Sequence, residues 1–325
     1  MTSNWKRTLL VVSFGFVPSL IPKDGHAAQE LVIEAIYTAP GPWAVAHESV
    51  YDAKASATYE LFRPSDLGRA GHRHAVLVWG NGTGAVPGQY SRFLSHMASW
   101  GFVVVASTSQ NTGTGQEMIA SLDWIMRADE DPSSTYYHAL DRQAVGTFGH
   151  SQGAGGSINA YKLANASGDA HAHVSTVVPI ELPAQRWICF NSGDPTCKEH
   201  NFYSGSDITS GSIFFVNGNK DGFISPSNQD ATTAGEQSMR AFYDAVPDGT
   251  VKARATLIGA DHNDIQDSCS QLGCGGIGPQ PYFGYVTAWM RYRLTRDPVA
   301  RWAFAGSTPE FLRNTLRWEN QAHRP

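Results

Sequence analysis

The residues Gly149-His150-Ser151-Gln152-Gly153 form a G-x-S-x-G pattern whose setting gives it chemical meaning. An apolar run from Gln143 to Phe148, with β-branched Val145 and Thr147, precedes it. Ala154-Gly155-Gly156-Ser157 and a helix-like stretch from Ile158 to Ala164 follow. Strand, sharp turn and helix hold a serine hydroxyl above a sheet edge, on a strained turn that demands small neighbours. They also place it at a helix N-terminus, whose unpaired N–H groups favour developing negative charge. Ser151 is therefore the predicted nucleophile. The competing reading is a glycine-rich loop that happens to hold a serine, because the chain has 32 glycines.

A serine hydroxyl is a weak nucleophile and needs a general base; the base needs a carboxylate to fix its tautomer. In this setting the order is Ser, acid, His, each just past a strand. Of the 12 histidines, His262 alone directly follows a β-rich run, in Ile258-Gly259-Ala260-Asp261-His262, and is the predicted base. His150 adjoins the serine and is expected to point away and pack. The predicted acid is Asp221, after Phe214 to Lys220. Glu181, one strand earlier, is the runner-up; Asp207 and Asp261 are weaker. One oxyanion donor is expected to be the backbone N–H of Gln152, and the second to come from Gly80-Asn81-Gly82-Thr83-Gly84. Glycines such as Gly82 let that loop's backbone approach a substrate closely. The same glycines mimic a dinucleotide fingerprint, but no acidic residue ends the next run, Ala106-Ser107-Thr108. No nicotinamide, nor any other cofactor, is expected.

The elements that position these groups read as buried strands alternating with helices. Ala75 to Trp79 and Phe102 to Ala106 are continuous apolar runs. Val174 to Ile180, Ser212 to Val216 and Ala253 to Ile258 are shorter β-rich runs. Helices are predicted over Ser91–Trp100, Gly115–Met126 and Ala234–Ala245, with a closing helix over Tyr282–Leu294. Loose alternation between Leu31 and Phe62 predicts antiparallel strands. The fold class is α/β, a mostly parallel central sheet with antiparallel N-terminal strands and helices on both faces.

Lys6 and Arg7, the apolar run Leu9 to Ile21 and the small residues Ala27-Ala28 predict a secretory signal peptide over residues 1–28. Residues 29–325 are then one domain of a secreted or periplasmic protein, with no membrane span in its mature form. A net charge of −5 and a pI near 6.2 leave no basic footprint for nucleic acid. A monomer is expected. The four cysteines, Cys189, Cys197, Cys269 and Cys274, suggest two disulfides behind a signal peptide. Three pairings exist, of which the local one, Cys189–Cys197 with Cys269–Cys274, is simplest. Their spacings are not C-x-x-C and no histidine lies at zinc-finger distance, so no metal site is expected.

Together the motifs resemble the secreted α/β-hydrolase serine esterases of the bacterial cutinase and polyester-hydrolase type, with their dienelactone-hydrolase and chlorophyllase-like relatives. The resemblance runs through Gly41-Pro42-Trp43, Ser99 to Val105, Gly149 to Gly153, Asn219-Lys220-Asp221, Gly259 to His262 and Ala288-Trp289-Met290. It implies an α/β-hydrolase fold and a carboxylic-ester hydrolase acting through an acyl-enzyme on short- or medium-chain esters, extending to polyesters. It implies Ser151 as nucleophile, Asp221 as acid, His262 as base, and Asn81 with Gln152 as oxyanion donors. It also gives Trp187 the role of packing on substrate. The chain departs from the family around the cleft. Pro179 to Trp187 is longer and more polar, and the loop of Cys189 and Cys197 looks inserted. Cys269 and Cys274 follow His262, where the family has a C-terminal pair. These differences bear on the substrate more than on the chemistry. Alternatives are a chlorophyllase-like esterase, an amide or peptide hydrolase, and a non-catalytic secreted binding protein of the same fold.

Overall fold

The computed structural model describes residues 32–166, 173–189, 197, 201–227, 237–269 and 273–325. The segment predicted as a signal peptide, together with His171 and His200, lies outside them.

Strand β3 (His74–Gly80) is wholly buried, as its unbroken apolar run requires of a strand covered on both faces. Its parallel partners are β4 (Val103–Ser107) and β5 (Leu140–His150). Parallel pairing continues through β6 (Thr176–Ile180), β7 (Ser212–Gly218) and β8 (Val251–Leu257). At one edge β1 (Val45–Asp52) and β2 (Ala57–Pro64) join antiparallel. At the other edge β9 (Trp318–Arg324) pairs antiparallel with β8. The described residues thus form a nine-stranded, mostly parallel sheet of order β1-β2-β4-β3-β5-β6-β7-β8-β9.

Alternating side chains divide the core between the two faces. Leu77, Trp79, Phe148 and Phe214 pack on one face, under α2 (Ser91–Ser99) and α6 (Gln280–Thr295). Val76, Val78, Val145 and Phe215 pack on the other, under α3 (Gln116–Glu130), α4 (Gln152–Ala166) and α5 (Met239–Ala245). Among the described residues no helix is long and apolar enough to cross a membrane.

Two expectations are corrected. The stretch after Leu31 begins with a helix, α1 (Val32–Thr38), before β1. Its Glu34 is buried among Asn314 and Trp318, so tertiary hydrogen bonds hold this short helix. The helix over Tyr282–Leu294 does not close the chain. It is followed by α7 (Pro298–Phe304), α8 (Glu310–Arg313) and β9. Strand β9 is a half-exposed edge strand and carries Glu319, Asn320 and Gln321, which removes the apolar alternation that sequence reading depends on.

Candidate active site

The carboxyl ends of the parallel strands converge on one cleft, as crevices do in open α/β sheets. Ser151 follows β5 directly and opens α4 with φ of 54°, in the left-handed region. Its N–H donates to the Ile180 carbonyl at 3.0 Å, so the turn is pinned to β6. The turn also needs glycine on both sides. A Cβ on Gly149 would lie 2.2 Å from the Gly153 carbonyl oxygen, and one on Gly153 would lie 2.2 Å from Gly80.

His262, in the loop after β8, places Nε2 2.9 Å from Ser151 Oγ. Its Nδ1 lies 2.6 Å from Asp221 Oδ2, in the loop after β7. Burial pushes the Asp221 carboxyl up. The His262 hydrogen bond and charge, with the N–H groups of Ile224 and Ser225, outweigh this and hold it below the usual range. An ionised Asp221 accepts from Nδ1–H, which leaves Nε2 to accept the Ser151 proton. The structure therefore brings Ser151, His262 and Asp221 into one hydrogen-bonded chain, in the order read from the sequence.

Glu181, the runner-up acid, sits beside Asp221 and not against His262 Nδ1. It is fully buried, and its Oε1 accepts from the Tyr282 hydroxyl at 2.7 Å. Glu181, Asp221 and His262 offer ligand atoms within 4.8 Å of one another, but an ion there would have to displace the Nδ1–H···Oδ2 hydrogen bond. Asp207 caps a turn through the Ser204 N–H and faces Lys162, away from the chain. Asp261 accepts the His262 N–H and shapes the turn. Asp264, which the sequence gave no reason to single out, accepts the N–H groups of Asp261, Gly275 and Gly276. It ties the base loop to the segment beside Cys274.

His150 does not point away. Its Nε2 donates to the His262 carbonyl at 2.7 Å, and its Nδ1 accepts from Tyr90 Oη at 3.0 Å. Burial, with the nearby His262, pulls its pKa down to about 3, so the ring is neutral. The Tyr90 hydroxyl in turn accepts the Gly82 N–H at 3.2 Å. One neutral imidazole thus bridges the glycine loop after β3 and the base loop after β8.

Asn81 lies in the turn directly after β3. It is fully buried, and its side chain is spent on Trp79 and on the carbonyls of Ser107 and Ser109. It does not line the cleft, whereas Gly82, Thr83 and Gln152 do. The Gly82 N–H is taken by Tyr90, and the N–H groups of Thr83 and Gln152 are among the cleft-lining amides that make no hydrogen bond to another described residue.

The cleft encloses about 920 Å³. Pro183, Trp187, Ile188 and Ile224 supply an apolar wall, joined by the disulfide Cys189–Cys197. The second disulfide is Cys269–Cys274, so the pairing is the local one. Trp187 donates through Nε1 to the Phe223 carbonyl, and the exposed Phe223 ring packs against it tilted by 60°, with centroids 4.6 Å apart. Amide side chains, including Asn111, Asn201, Asn263 and Gln266, occupy other parts of the lining. No Asp, Glu, Lys or Arg is among the described residues lining it. The arrangement can deprotonate Ser151, place two backbone N–H groups near a developing charge, and receive an uncharged molecule with an apolar side. No protein-family model matches this chain, and no curated protein matches it.

Proposed function

We propose that the chain is a secreted or periplasmic serine carboxylic-ester hydrolase of the α/β-hydrolase fold, resembling the cutinase and polyester-hydrolase type. The observation that carries this reading is the chain from Ser151 Oγ to His262 Nε2, 2.9 Å, and from His262 Nδ1 to Asp221 Oδ2, 2.6 Å. The two disulfides support an oxidising compartment.

In the first half-reaction Ser151 Oγ bonds to the ester carbonyl carbon while its proton passes to His262 Nε2. Asp221 stabilises the imidazolium, and the N–H of Gln152, with a second from Asn81 or Thr83 in the loop after β3, holds the oxyanion. Collapse breaks the bond to the alcohol, which leaves with the proton from Nε2. Water then repeats the sequence on the acyl-enzyme: its proton goes to Nε2, its oxygen to the acyl carbon, and Ser151 Oγ recovers the proton. The uncharged lining and the Trp187–Phe223 pair favour neutral short- or medium-chain esters and chain segments of polyesters over charged substrates.

Ser151→Ala should lower hydrolysis of p-nitrophenyl butyrate by at least ~10³-fold, as loss of a triad member does. A fluorophosphonate should label the native protein and not the variant. Full activity in the variant sinks the mechanism. A native protein that neither turns over esters nor takes the label is better described as a binding protein of this fold.

A further inference from the structure

The relay described above leaves one buried acid unused. Glu181 follows β6 with φ of 51°, and its N–H is pinned to the Val216 carbonyl at 2.8 Å. One carboxyl oxygen accepts from Tyr282, itself fully buried on α6. The other, Oε2, is buried and makes no geometrically sound hydrogen bond among the described residues, although the Gly218 N–H lies near the carboxyl. What it faces is Asp221, a second acceptor. Two carboxylates that close and that buried do not both ionise; the pair holds one charge and one proton.

We propose that Glu181 is a positioning residue of the base relay: it holds the shared proton and donates it to Asp221, extending the chain to Tyr282–Glu181–Asp221–His262–Ser151. This rests on the esterase reading of the site. The charge settles on Asp221 because that carboxylate also accepts from His262 Nδ1 and the Ile224 N–H. Glu181, whose carboxyl burial and the Asp221 charge push well above the usual range, stays neutral. Asp221 accepts from His262 Nδ1 and from the N–H groups of Ile224 and Ser225, and the Glu181 O–H adds a tie from the opposite side. The added O–H donor from β6 and the N–H from Ile224 hold Asp221 Oδ2 facing the imidazole. Removing Asp221 removes the like charge that adds to burial in holding Glu181 protonated, so Glu181 ionises more readily and becomes a latent acid for His262.

Infrared difference spectra of the full chain at neutral pH read the proton directly. A carboxylic-acid C=O stretch present in the native protein and lost in Glu181→Gln is expected; no such band in the native protein, or a band indifferent to E181Q, overturns the proposal. This readout does not depend on turnover, so a chain that hydrolyses no ester defeats the esterase reading without touching the proton assignment. In kinetics, Glu181→Leu should lower kcat by ~10- to 100-fold with little change in KM, the weight of one charge-assisted hydrogen bond. E181Q, which can still donate to Asp221, should recover most of that loss. Should E181L fail to fold, Asp221→Ala carries the kinetic test. Its residual activity should rise with pH as Glu181 ionises, and D221A/E181Q should lack that rise. Equal residual activity and identical pH profiles in those two variants overturn the proposal.

Discussion

At the residue scale, the elbow joins strain to fixation. A non-glycine residue at φ of 54° costs on the order of 1–3 kcal/mol and persists only where its surroundings over-determine it. For Ser151 they do, through the Ile180 carbonyl on one side and His262 on the other. His150 extends this to the base. Its two ring nitrogens clamp the His262 carbonyl to Tyr90, so the backbone carrying the base is held from the residue beside the nucleophile. His150→Phe keeps an aromatic ring, somewhat larger, and removes both hydrogen bonds, leaving the His262 carbonyl without its donor. Losing about 1–3 kcal/mol of such support corresponds to roughly 10- to 100-fold in kcat, with KM little changed. Steady-state kinetics on a soluble ester measure it, and wild-type kcat in H150F would refute the clamp. Ser151, Asp221 and His262 were legible in the sequence because each sits just past an apolar run in a fixed order. The direction of the His150 ring was not, since it depends on Tyr90, 60 residues away in sequence.

At the element scale, three backbones meet where β3, β5 and α4 touch, and glycine is what lets them. A methyl group on Gly153 would lie 2.2 Å from the Gly80 carbonyl, and that contact is backbone against backbone, so no rotamer change relieves it. Gly153→Ala should destabilise by about 1–3 kcal/mol, as overpacking does. It should also push α4 away from β3, so fluorophosphonate labelling of Ser151 should slow along with the fall in Tm. A variant with native Tm and native labelling rate would show that the junction has slack that the 2.2 Å contact denies. The elements meeting here were readable because β3, β4 and β7 are apolar through their middles and buried along their whole length, as strands covered on both faces are. The edges were not. Strand β9 is polar because it lies at a half-exposed edge, and α1 is seven residues whose Glu34 is held by Glu310, Asn314 and Trp318 from the far end of the chain.

At the scale of the whole molecule, the buried titratable groups set how stability follows pH. Burial pulls His96 down to about 4, and burial with the His262 charge pulls His150 to about 3. In the unfolded chain both titrate near the ordinary value of ~6.5. Between those values the unfolded state binds more protons, so stability is fully present above pH ~6.5 and is lost as pH falls towards the folded pKa. Each such histidine contributes a slope of up to about 1.4 kcal/mol per pH unit across that window. Glu181 and Glu34 act in the opposite sense. Burial holds both carboxyls protonated above the usual range, so the native state binds the extra proton and their contribution falls as pH rises above ~4.5. Asp221, held below the usual range, loses its contribution only below pH ~4. The histidines therefore govern the acid side from pH ~6.5 downward, offset in part by the two glutamates. His96 is the residue on which to test this, because it lies outside the cleft, 7% exposed, with Nε2 donating to the Tyr37 carbonyl at 2.8 Å. His96→Gln keeps a donor for that carbonyl and cannot take a proton. Its Tm should fall less steeply than the native Tm between about pH 6.5 and pH 4, and the two curves should run parallel above pH ~7. Parallel curves on the acid side as well would mean that His96 takes up its proton without leaving the fold.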